Sequence, residues 1–196
     1  MSAMPAALTP EWTLPSRGRI GMYCLIAAEA AIFTIFVVAY LFYIGKSVNG
    51  PMPRDVLEVP VFYTVCLLSS SIVIHFAERA LERGQLGSFK ILWFLTFALG
   101  AIFLVGTGFE WRHLIEHGLT ISTNLFGTTY YSLVGLHALH VSVGLIGFLI
   151  VIAFSLAAKV TEAHSPQISV FALYWHFVDA VWVVVFTVVY IVGLRA

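Results

Sequence analysis

Residues 129–158 read TYYSLVGLHALHVSVGLIGFLIVIAFSLAA, thirty positions without one Asp, Glu, Lys or Arg. An α-helix rises 1.5 Å per residue, so about 20 apolar residues cross the roughly 30 Å hydrocarbon layer of a bilayer. This stretch is long enough to do so and too apolar to face water. Outward from it lie four further runs of the same kind, at about 20–44, 59–77, 89–109 and 168–194. The chain is therefore expected to be all-α, a polytopic membrane bundle of five transmembrane helices. Residues 1–19 are expected to form an extramembrane segment and 20–196 one transmembrane domain.

Composition agrees. Of 196 residues, 60% are hydrophobic and 10% charged, against roughly 25% charged in soluble domains. The mean hydropathy is +0.96. Ten Lys and Arg balance ten Asp and Glu, so no basic surface exists to hold nucleic acid. Cys24 and Cys66 stand far apart, which excludes a disulfide framework and a thiolate metal cluster. There is no internal repeat, low-complexity tract or heptad array.

Turn chemistry separates the runs: Asn49-Gly50-Pro51 with Pro53, then Glu82-Arg83-Gly84 with Gly87, then His117-Gly118, then Ser165-Pro166. Pro5, Pro10 and Pro15 break the first 19 residues, which read as neither signal peptide nor helix. Five crossings put the termini on opposite sides. Arg17, Arg19, Arg79, Arg83, Lys90 and Lys159 fall on the N-terminal side, against Lys46, Arg54, Arg112 and Arg195 on the other. Six positive charges against four favour a cytoplasmic N-terminus.

The polar groups within the spans carry the functional question, because a charge at membrane depth costs from about 2.5 kcal/mol upward. Glu29 sits about 13 Å along the first span, with Phe33, Phe36 and Tyr40 following on the same face. It reads either as a neutral acid hydrogen-bonded to another helix or as a proton-relay or buffering group. In the last span, Trp175, Asp179 and Trp182 share a face, and His176 meets Asp179 at i, i+3. An Asp beside a His can share a proton or form a shielded ion pair, and the pattern fits structural pairing ahead of catalysis. His137 and His140 lie three apart among the small residues Gly135, Ala138, Ser142, Gly144 and Gly147. With His75 and His176 they admit a bis-His haem, while the small residues suit close helix crossings. Glu110 and Trp111 lie where an interfacial anchor is normal. Ser69, Ser70 and Ser71 read as packing residues that bond back to their own helix.

Five segments in sequence order carry a resemblance. They are 22–43 with Glu29; Leu67-Leu68-Ser69-Ser70-Ser71; Gly108-Phe109-Glu110-Trp111; Phe126-Gly127-Thr128-Thr129-Tyr130-Tyr131 running on through His137 and His140 to Gly144; and Tyr174-Trp175-His176-Phe177-Val178-Asp179-Ala180-Val181-Trp182. From about residue 20 to its end the chain resembles subunit III of the haem-copper respiratory oxidases, in the five-helix form. The resemblance implies a subunit without haem or copper of its own. It implies a partner, the catalytic subunit I, which carries haem and copper with other oxidase subunits, and contact with membrane phospholipid. Such a subunit stabilises subunit I through turnover and supports its proton uptake.

By the same resemblance Glu29 matches a buried carbodiimide-reactive glutamate. Glu110, His137, His140, His176 and Asp179 match recurrent polar positions, a structural network with no catalytic or metal-binding role. The chain opens on the Glu29 helix, without the N-terminal helix pair of seven-helix members. Gln167-Ile168-Ser169-Val170-Phe171 and the ending Val185-Phe186-Thr187-Val188-Val189-Tyr190 look as much like quinol-oxidase versions, so the electron donor stays open. The implied location is the bacterial cytoplasmic membrane. Two other readings stand beside this one: a subunit-III-like accessory protein of nitric oxide reduction, and an autonomous haem-b membrane anchor or proton channel.

Overall fold

The computed structural model describes residues 16–47 and 49–195. Its elements in chain order are α1 (Arg17–Tyr43), a single turn α2 (Pro53–Val56), α3 (Val61–Glu82), α4 (Leu86–Glu116), α5 (Leu125–Leu156) and α6 (Ser165–Phe186). A 3-10 turn (Glu162–His164) precedes α6 and a wider π turn (Thr187–Val192) prolongs it. All but α2 are long and apolar enough to span a membrane, giving five candidate spans. Among the described residues there is no strand.

Every span differs at its ends from the apolar run that announced it: some helices continue through polar interfacial residues that a hydrophobicity count leaves out, and others stop at a proline or a closing turn while the sequence stays apolar. α1 begins at Arg17, where Ser16 accepts from the Arg19 N–H. Residues 17–19, at the end of the expected extramembrane segment, are therefore the first turn of a helix, and residues 1–15 lie outside the described ones. The second run was expected at 59–77, yet α3 starts after Pro60 and continues to Glu82. α5 starts at Leu125, not 129, because Asn124 caps it by accepting from the Gly127 N–H at 2.8 Å. Its amide also donates to the carbonyls of Asn49 and Pro51. The cap thus pins the connection after α1 to the start of α5. Ser165-Pro166, expected as a turn, opens α6 instead. Proline there gives up an N–H that a first turn leaves unpaired anyway.

Three helices end alike. The N–H groups of Gly84 and Gln85 return to Leu81 and Ala80, and those of Gly118 and Leu119 to Ile115 and Leu114. Gly84 and Gly118 take the positive φ this closure needs. At the end of α5 the same pair of bonds forms, with Ala158 in the left-handed position at φ 55°.

In the interior, α3 and α4 form a helical hairpin, with Tyr63 lying against Gly106. α6 packs on α1, α3 and α5 and is the most enclosed of the five spans. Its aromatic side chains occupy the space that glycines open: Trp175 between Gly100 and Gly144, Phe171 over Gly147. Two helix backbones were expected to approach at those small residues. Rings from a third helix fill the gap instead, since α6 supplies the bulk that α5 lacks.

Candidate functional site

Glu29 on α1 and His140 on α5 meet across the bundle. His140 Nε2 lies 3.1 Å from Glu29 Oε2, and His140 Nδ1 lies 2.8 Å from the Leu136 carbonyl. A carbonyl oxygen only accepts, so Nδ1 carries a proton. One further proton serves the Nε2···Oε2 bond. It resides on the carboxyl, as a neutral pair, or on the ring, as an ion pair. Both arrangements carry the same net charge, so the proton can shift between them without adding charge to the membrane interior. Phe33 packs on the His140 ring at 5.0 Å between centroids, and Tyr174 donates to the His140 carbonyl at 3.0 Å. The pair stands at a cleft of about 350 Å³ lined by Leu25, Leu136, Leu139, Val143 and Tyr174. Side-chain exposure of 23% for Glu29 and 12% for His140 makes the acid the more accessible partner.

His176 and Asp179 were expected to meet in the α6 motif, and Ser71 of α3 joins them. The Ser71 hydroxyl donates to Asp179 Oδ2 and lies 3.0 Å from His176 Nδ1. A hydroxyl has one proton. With that proton given to Asp179, His176 Nδ1–H is the donor to Ser71. His176 and Asp179 are thus linked through serine. Next to it, Ser70 bonds back to the Leu67 carbonyl and accepts from Trp175 Nε1 at 2.8 Å. Trp182 Nε1 donates to Thr64 at 3.2 Å. The serine run was expected to pack and to bond back to its own helix; Ser70 does so, and Ser70 and Ser71 also bond across to α6. Small polar residues two turns apart on α3, Thr64 and the pair Ser70 and Ser71, facing Trp and His on α6, are the signal that identifies such a seam.

Glu110 forms a third cluster. Tyr130 and Tyr190 donate to its Oε1 at 3.0 and 2.6 Å, bonds to two other helices that the expectation of an interfacial anchor did not include. Both tyrosines stand in segments quoted above, but neither was expected as a partner of Glu110, because both are distant from it in sequence and their type suits any buried position. His137 stands apart from all three clusters. It is fully buried against Trp182, Phe103 and Phe33, at 4.9, 5.7 and 6.4 Å between ring centroids, and neither nitrogen is bonded.

A haem held by these histidines does not fit. His140 has both nitrogens engaged, His137 is enclosed by aromatic rings, and His75 and His176 lie on the α3/α6 side of the bundle. Among the described residues no group of three His, Cys, Asp or Glu side chains is placed to hold a metal ion.

Comparison with known proteins follows this geometry. The sequence profile of the family described as Cytochrome c oxidase subunit III matches residues 13–194. The chain is 33% identical over 183 residues to "Cytochrome c oxidase subunit 3" of Corynebacterium diphtheriae, covering 91% of this chain and 89% of the relative. It is 38% identical over 181 residues to "Probable cytochrome c oxidase subunit 3" of Mycobacterium leprae, with the same coverage. To "Cytochrome c oxidase subunit 3" of Bacillus sp. strain PS3 it is 30% identical over 193 residues, covering 97% of this chain and 93% of the relative. With its five spans and its polar residues in the expected order, the chain belongs to the cytochrome c oxidase subunit III family.

Proposed function

We propose that this chain is the non-redox accessory subunit III of a proton-pumping haem-copper terminal oxidase in a bacterial cytoplasmic membrane, with its N-terminus in the cytoplasm. It stabilises the catalytic subunit I through turnover and supports proton uptake into it. Haem and copper reside in the partner subunits and membrane phospholipid surrounds the chain. The carrying observation is the bond between Glu29 and His140, which holds one exchangeable proton at a cleft on the side of the bundle. Such a group can hold a proton and return it to a neighbouring subunit. The names of the bacterial relatives favour cytochrome c over quinol as the electron donor of the complex.

Co-purification in mild detergent tests this. Oxidase subunits are expected to accompany the chain, and a complex lacking it is expected to keep its haem spectrum and initial rate while losing activity faster during turnover. Co-purification with a nitric oxide reductase would move the chain to that complex. Stoichiometric haem on the isolated chain, read by pyridine haemochrome, would overturn the accessory role.

A further inference from the structure

α3 and α6 run antiparallel, and the bonds between them keep one register. Trp182 donates to Thr64, Trp175 to Ser70, and His176 and Asp179 meet at Ser71. Continued toward the end of α3, that register sets Ser169 beside the Glu78 carboxyl, where Arg19 also donates to Ser169 at 3.2 Å. Ser71, His75, Glu78 and Glu82 recur at i, i+4, i+7 and i+11, one face of α3. Glu82, the last residue of the helix, is exposed, as is His75. Glu78, Ser71 and His176 are half-buried, and Asp179 is 4% exposed. The face thus joins the end of α3 to a buried acid, over roughly 16 Å of helix. His75 lies close enough to His176 for their charges to interact. Neighbours three and four apart stand about 5–6 Å from each other at Cβ, a gap that proton transfer crosses directly or through one water.

Asp179 Oδ1 is buried without a hydrogen-bond partner. As half of a carboxylate it would carry charge that nothing compensates; as the carbonyl oxygen of a neutral acid it costs far less. The buried end of the face therefore favours a bound proton, and the three bonded residues supply the route to it. A proton arriving at His176 Nε2 releases the one on Nδ1 to the Ser71 oxygen, and Ser71 passes its own to Asp179 Oδ2. Both bonds then point the other way. Asp179 donates to Ser71, Ser71 donates to His176 Nδ1, and the ring keeps its proton on Nε2. One proton has entered, and the three residues have gone from one negative charge to none. α5 and α4 face this part of α6 with His137 and Phe103, which pack on Trp182. Neither nitrogen of His137 is bonded, so the chain of bonds ends at Asp179.

We propose that this face of α3 is a proton lead that runs from Glu82, at the end of the helix, through His75, His176 and Ser71 to Asp179, which holds the proton inside the bundle. It is a second proton site beside the pair of Glu29 and His140, and it goes beyond the accessory-subunit reading without depending on which complex the chain joins.

Infrared spectroscopy of the intact detergent-solubilised complex tests this, with Asp179→Asn assigning the carboxyl band. In the unmodified chain the band is expected to be that of a protonated acid and to shift on transfer to D2O. Ser71→Ala is expected to slow that shift by roughly a hundred-fold, the scale for a positioned proton-transfer group. Ser71→Thr, which keeps the hydroxyl, is expected to restore it. Glu78→Gln, toward the open end of the face and outside the three bonded residues, is expected to slow the shift as well and replaces Ser71→Ala if that variant does not assemble. Absence of a protonated Asp179 band overturns the proposal. So does exchange at the unmodified rate in Ser71→Ala or, where that variant does not assemble, in Glu78→Gln. The subunits that co-purify in the same samples decide the accessory reading separately.

Discussion

The Tyr190 hydroxyl reaches Glu110 Oε1 at 2.6 Å across 80 residues of sequence, from the π turn that prolongs α6 to the C-terminal part of α4. Tyr130 of α5 donates to the same oxygen. One carboxyl oxygen thus joins three spans where α6 loses regular geometry. A π turn carries one more residue per closure than an α-helix and recurs at positions with a task. Here it accompanies a buried tyrosine aimed at an acid.

Removing either hydroxyl leaves one donor on that oxygen. Tyr190→Phe and Tyr130→Phe are each expected to lower resistance to unfolding in an SDS titration by about 0.6 to 1.7 kcal/mol, the range for polar contacts in membranes. In a double-mutant cycle the pair is expected to be non-additive, because both act on one atom. Additive losses would mean that the two hydroxyls do not share Glu110.

Glu29 is expected to be the carboxyl labelled by a hydrophobic carbodiimide, ahead of Glu110, Glu116 and Asp179. The reagent attacks a protonated carboxyl and arrives through lipid. Glu29 opens onto a lateral cleft and has His140 to share its proton with. Asp179 is 4% exposed and Glu110 lies beneath two tyrosines. Glu116 pairs with Arg112 at 2.9 Å. Glu29→Gln is expected to assemble, to abolish the label, and to reduce turnover stability or proton-to-electron ratio with electron transfer near normal. Mass spectrometry locates the label. Persistent labelling in Glu29→Gln sinks the assignment, and complete loss of oxygen reduction in an assembled complex contradicts the accessory role.

The number of spans and the aromatic stripe after Glu29 were legible because apolar length and helical period are local properties. Phe33 and Tyr40 are buried as that stripe requires. Which acid meets which base was not legible. His137 and His140 share a sequence neighbourhood, yet only His140 finds Glu29, because three residues turn the two rings toward different helices. Ser71 was read as a packing residue because serine's local bond to its own helix is always available. Its bond to Asp179 exists only once α3 and α6 are side by side.

Ala158 occupies the left-handed position that Gly84 and Gly118 hold at the ends of α3 and α4. For a residue with a Cβ that conformation costs about 1 kcal/mol, while glycine gives back part of the gain through a freer unfolded chain. Ala158→Gly is expected to stabilise by up to about 1 kcal/mol in the same SDS titration, with function unchanged because the residue touches no polar cluster. Destabilisation would mean that α5 does not end in this closure.

The two glycines at either end of the histidine segment make opposite predictions. A Cβ on Gly144 would lie 2.5 and 2.7 Å from the Trp175 ring atoms. That ring cannot step aside. Its other edge faces Gly100 at 2.9 Å from a Cβ position there, its Nε1 is bonded to Ser70, and it meets Phe148 edge to face at 4.8 Å. Trp175 is completely buried, so strain passes to the α5/α6 spacing. Gly144→Ala is expected to cost about 1–3 kcal/mol, the usual penalty for overpacking a filled interior. At Gly135 the nearest atom to a new Cβ is Trp111 Cη2 at 3.5 Å, ordinary van der Waals contact. Gly135→Ala is therefore expected to be neutral or slightly stabilising, since alanine is the better helix former by roughly 1 kcal/mol. SDS unfolding of the two variants, with Trp175 fluorescence to report its surroundings, separates them. Equal effects would show that Trp175 does not fill the space between Gly100 and Gly144.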